Sequence, residues 1–162
     1  MAIGKLLLAG GAAAGVYVAI PARHGPSGDV LEQPAPLALQ RLEAKRRVVK
    51  GTGLGSLTID SGGPHDGALL IRVTRAGARR SVKCRVTIAP VSDRQSRAAV
   101  DCTQAGAADR PIARVAEQAF AIVVREHVAA TVAARPYDTD GVADRMVALV
   151  AANRAVLALA AF

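Results

Sequence analysis

Residues 68–103 hold three runs in which apolar and polar side chains alternate. In ALLIRVTR, Leu69, Ile71 and Val73 take one parity and Leu70, Arg72 and Thr74 the other. In SVKCRVTI, Val82, Cys84, Val86 and Ile88 alternate with Lys83, Arg85 and Thr87. In RAAVDCT, Ala98, Val100 and Cys102 alternate with Arg97, Ala99 and Asp101. A period of two with one apolar face specifies a half-buried antiparallel sheet. Ala76-Gly77 supplies one hairpin turn, PVSDRQS a second loop, and LTID before Ser61 a further strand.

The second hairpin has a preferred register. Folding it about Asp93 sets Cys84 opposite Cys102, Val86 opposite Val100 and Ile88 opposite Ala98. The same alignment sets Arg85 against Asp101 on the outward face, an opposite-charge cross-strand pair. Directly paired residues have Cα atoms about 4.5 to 5.5 Å apart, within reach of a disulfide. A bridge is the leading expectation, and two buried thiols packing as small hydrophobes are the alternative. Zinc would need two more ligands, and His24, His65 and His127 lack ligand spacing, so no metal or other cofactor is expected.

A disulfide needs an oxidising compartment, which directs attention to the other end of the chain. Lys5 precedes an unbroken apolar run from Leu6 to Ile20, closed by Pro21 and Arg23. The run has the size of a signal-peptide core. Ile20 spoils the cleavage site, so an uncleaved signal anchor over residues 1–22 competes with a cleaved leader. Glycines at 4, 10, 11 and 15 argue against a buried soluble helix, since each costs about 1 kcal/mol relative to Ala in a helix interior. The expected location is the cell membrane of a bacterial-type envelope, with the C-terminal part on the outer (periplasmic) side, or the periplasm after cleavage.

Residues 23–36 carry enough Pro and Gly to read as a linker, and residues 37–162 as one small domain. LALQRLEAKRRVVK predicts a short amphipathic helix over 37–47. After the strands, a helix capped by Asp109 with Pro111 in its first turn should run to about Ala134, stopped by Pro136. Asp140 would cap a second helix to about Ala161, with Asn153 in its apolar face. The expected fold is therefore α+β: an N-terminal signal or anchor, a three- to four-stranded antiparallel meander, and two C-terminal helices on one face. Strands followed by a long amphipathic helix resemble the closing half of helix-grip lipid-binding domains at the level of architecture.

The chain carries a formal charge of +8, and its core can draw on only two Tyr, two Phe and no Trp. The outward sheet parity collects Arg72, Lys83, Arg85 and Arg97, with Arg75, Arg79 and Arg80 at the adjoining turn. These predict contact with an anionic surface or protein partner, against the plain alternative of a solvated basic face. No aromatic residue interleaves with them, which argues against nucleic acid.

Several motifs point less far. DSGGP at 60–64 resembles the nucleophile segment of trypsin-like serine proteases, with Ser61 as the nucleophile. The resemblance covers five residues, and Ile59 replaces the usual preceding glycine. Only His24 lies upstream where that family has its histidine, so the segment reads instead as a turn between strands. GTGLGS lacks phosphate-loop spacing. His65-Asp66 reads as a polar loop tip, and His127, on the apolar side of its helix, as a core residue. No catalytic set emerges. The expectation is a tethered or exported, non-enzymatic interaction module with a basic surface, or alternatively a carrier or sensor of a small apolar ligand held between sheet and helices.

Overall fold

The computed structural model describes residues 28–65, 67–103 and 110–159. The expected signal or anchor at 1–22, His24, Asp66 and the Asp109 cap lie outside them. Among the described residues no helix is long and apolar enough to cross a membrane.

The fold is α+β, built on one six-stranded antiparallel sheet in the order β1-β6-β5-β4-β3-β2. Strands β3 (Leu57–His65), β4 (Ala68–Arg75), β5 (Ser81–Pro90) and β6 (Ser96–Asp101) form the expected meander. Two further strands raise the count above three or four. The first is β1 (Asp29–Leu31), in the segment read as a linker. Its residues Asp29–Leu31 pair with β6, Asp29 opposite Ala98. The second is β2 (Arg46–Val49), where the sequence suggested the end of a helix.

Helix α1 is correspondingly short, Ala35–Leu42. It opens with proline in its first turn, where the missing N–H has no helical partner to lose. It ends because Ala44 adopts φ 52°, which reverses the chain into β2. Since β1 and β2 occupy opposite edges of the sheet, α1 makes the crossover and packs over β5 and β6.

Long helix α2 (Pro111–Val132) ends close to the expected Ala134. A left-handed Ala134 follows, with the Arg135 N–H donating to the Ala130 carbonyl at 2.9 Å. α2 packs on β1, β5 and β6. Helix α3 (Thr139–Ala152) instead packs mainly on α2, so only one of the two C-terminal helices covers the sheet. The cap of α3 is Asp138 rather than Asp140; its carboxylate accepts from the Gly141 N–H at 2.9 Å. Asn153 ends α3 instead of lying within it, its side-chain amide donating to the Leu149 carbonyl at 2.9 Å. A short α4 (Arg154–Leu159) follows.

The core lies between the sheet and α2. Leu57, Ile59, Leu69, Ile71 and Val86 meet Val123, Val124 and Val128, all essentially inaccessible to solvent. These are the small branched side chains that a close approach of sheet and helix needs.

Candidate anion-binding site on the outer sheet face

The alternation that buries Ile71, Cys84 and Val86 turns Leu70, Arg72, Lys83 and Arg85 to solvent. Register then sets them side by side. Arg72 lies opposite Lys83, and Leu70 opposite Arg85. On the other flank Arg72 faces Asp60, which itself faces Arg46. Arg46 and Asp60 form an exposed ion pair at 3.3 Å. The outward face thus carries one transverse row, Arg46–Asp60–Arg72–Lys83, with Leu70 and Arg85 beside it.

A break in the sheet's regularity makes a hollow here. The pairing of β3 with β4 slips by one residue between Ser61 and Pro64, a β-bulge at Gly62-Gly63. SGGP is therefore a bulge within β3, and the strand continues to His65. A Cβ on Gly62 would come within 3.2 Å of the Leu70 carbonyl oxygen, which explains the glycine. A pocket of about 470 Å³ opens at the bulge, with Asp60, Leu70, Arg72 and Arg85 among its lining residues. Two guanidiniums beside an apolar floor suit an anionic group carried on a partly apolar partner.

Arg97 does not belong to this cluster. It is half-buried on β6, opposite Ala89 and Val30, four residues along the strand from the level of Arg85 and Asp101. At about 3.3 Å per residue that is about 13 Å away. The Arg85–Asp101 pairing is as expected. The Asp101 carboxyl is held below its ordinary range first by the Thr103 hydroxyl, then by the Thr103 N–H and the charge of Arg85.

Cys84 and Cys102 have the register read from the sequence, with Arg85 opposite Asp101, Val86 opposite Val100 and Ile88 opposite Ala98. Their sulfurs are 2.10 Å apart and their Cα atoms 4.0 Å, and both residues are buried. The pair closes the sheet where the chain leaves β6 for α2.

Three-dimensional packing unites two residues that the sequence kept apart. Ser61 shares the inward parity of Leu57 and Ile59, and its hydroxyl lies 3.1 Å from His127 Nε2 on α2. Burial, and secondarily the charge of Arg47, lowers the His127 pKa to about 4, so the ring is neutral at pH 7. His127 Nδ1, where a triad would place a carboxylate, has no hydrogen-bond partner among the described residues. Both side chains face the core, and the pair pins α2 to β3.

Next to it, Glu126 is 3 % exposed. Burial alone would raise its pKa, but bonds from Arg135 (2.6 and 3.1 Å), the Asp138 N–H (2.9 Å) and Arg145 (3.4 Å) hold it low. This carboxylate fastens the α2–α3 turn. Tyr137 closes the same corner. Its hydroxyl donates to the Val123 carbonyl at 3.4 Å, and Arg47 lies over its ring, 5.6 Å from the centroid.

A second concavity, of about 540 Å³, is apolar. It lies between the N-terminal half of α2, the α3–α4 pair and the β2–β3 loop. No protein-family model matches the chain, and no curated protein or solved structure does so either.

Proposed function

We propose that this chain is a membrane-tethered or exported envelope-type protein whose folded domain is a non-enzymatic interaction module, binding an anionic partner on the outer face of its sheet. The observation that carries the reading is that Arg72 and Arg85 line the pocket at the Gly62-Gly63 bulge, with Lys83 beside Arg72 on the next strand. The apolar run at Leu6–Ile20 and the paired cysteines support the envelope location. Retention of the full chain in carbonate-washed membranes, or release into the periplasm after cleavage, agrees with this location. Recovery of the full-length protein in the cytoplasm rejects it.

Binding is tested with the full chain and a polyanion such as polyglutamate. The R72Q/K83Q variant should lose at least tenfold in affinity at low salt. R97Q, which changes a residue outside the cluster, should bind within twofold of the parent. Equal losses in both variants would reduce the effect to net charge. The second reading, a carrier of a small apolar ligand, is favoured by the 540 Å³ groove among the helices.

A further inference from the structure

The apolar groove has a rim that ordinary cores do not show. Val147 is 69 % exposed, Val150 54 % and Ile112 46 %, and all three line it. They are three of the seven exposed large hydrophobic side chains among the described residues. Clustering of this kind marks a contact surface. The sequence flanking these groove segments is rich in charge. Lys50, Arg110, Arg114, Arg145 and Arg154 stand against Asp109, Glu117, Asp140 and Asp144, in a chain whose net charge is +8.

The position of the groove in the fold says what meets it. β1 runs antiparallel to β6, so the chain enters Gly28 from the Asp101 end of β6. Asp101 lies opposite Arg85, and β5 leads from there back to Ser81 and the β4–β5 turn. The β2–β3 loop adjoins that turn, the Ala76 N–H donating to the Ser56 carbonyl at 2.9 Å. Along the strand axis the groove therefore lies toward the same end as the chain's point of entry, on the opposite side of the sheet. The apolar run ends at Ile20, eight residues before Gly28. Eight residues span at most about 29 Å fully extended. A bilayer holding that run keeps Gly28 within the same distance of its surface.

We propose that the groove end docks on the anionic bilayer itself, with Val147, Val150 and Ile112 entering the acyl boundary and the flanking Lys and Arg meeting lipid headgroups. This rests on the membrane-tethered reading above. The occupant is lipid because the groove is apolar, the tether holds the domain beside a bilayer, and the chain's net charge of +8 favours anionic headgroups. The outer sheet face, with Arg72 and Arg85, then stays available to a partner.

The chain lacks tryptophan, so a single introduced one reports without background. Full-length V147W and V150W, with V48W as a control on an exposed outer-face position (58 %), would be reconstituted into vesicles of phosphatidylglycerol and phosphatidylcholine. Brominated acyl chains quench only an indole that reaches them. The expected result is at least twofold quenching for V147W and V150W, none for V48W, and weaker quenching in pure phosphatidylcholine. Quenching of V147W and V150W no greater than of V48W overturns the proposal. A blue-shifted but unquenched V147W also overturns it, because another segment or a second copy then fills the groove. Carbonate extraction of the same vesicles scores the tether separately. A chain retained but unquenched keeps the tether and loses the docking; a chain released yet quenched does the reverse.

Discussion

His127 and Glu126 are adjacent in sequence and opposite in chemistry. His127 faces Ser61 and is held neutral by burial. Glu126 faces the α2–α3 turn and is held charged by two arginines and a backbone N–H. The unfolded chain binds a proton at its histidine near pH 6.5, while the folded one resists until about pH 4. Stability from this group is complete above pH 6.5 and is lost as pH falls toward 4, by about 3 kcal/mol. Urea midpoints should fall steeply between pH 6.5 and 4.5 in the parent. In H127L the midpoint should be lower at pH 7 and nearly flat across that window. A parental slope in H127L would assign the effect to other groups. Changing Arg135 to Ala leaves the buried Glu126 carboxylate short of its two closest side-chain bonds, and should cost about 1 to 3 kcal/mol. Arg135 to Lys should recover only part of this, since a single ammonium cannot reproduce the two-oxygen fork.

At the scale of elements, two helix ends carry an avoidable strain. Ala44 and Ala134 both sit at positive φ, where an L-residue costs about 1 to 2 kcal/mol. A44G and A134G should each raise the thermal midpoint, gaining about 0.5 to 1 kcal/mol after the extra flexibility of glycine in the unfolded chain. Either variant melting below the parent would show that the turn is held differently. The Cys84–Cys102 loop, with a sequence separation of 18, should contribute about 2 to 4 kcal/mol. Alkylation without reductant, read by intact mass, should label neither thiol, and C84A/C102A should melt lower than the oxidised parent by a matching amount. The elements legible in the sequence were those with a strong period or a paired signal. β4, β5, β6 and α2 have both hydrophobic alternation and bounding turns, and the cysteine register was fixed by three side-chain coincidences. β1 and β2 were hidden for different reasons. Three residues, Asp29–Leu31, are too few to show a period among prolines, and RRVV carries no alternation. Ser61 was hidden because Gly-Gly-Pro signals a turn locally, whereas here a bulge lets the strand run on. Its bond to His127, 66 residues away, has no local sequence signature. The outward parity of Arg72, Lys83 and Arg85 was readable, but the hollow that Arg72 and Arg85 line comes from that bulge.

For the whole molecule, the order β1-β6-β5-β4-β3-β2 makes the first strand of the domain an edge, held by three residue pairs. In a chain anchored at its N-terminus this edge is also where mechanical load arrives. A pull on Gly28 runs along the axis of β1 and shears its contact with β6, while the neighbouring β5–β6 pair is cross-linked at Cys84 and Cys102. Force should therefore strip the molecule in a set order. β1 and then α1 peel away first, and the β5–β6 hairpin cannot separate beyond its cross-link while the sulfurs remain bonded. Stretched between its termini, oxidised protein should release a shorter contour length than reduced protein, the difference being the chain enclosed between residues 84 and 102. Such an edge is a fuse: in the tethered form proposed above, the domain yields at its three-residue first strand and keeps the basic face, carried on β4 and β5, intact under strain.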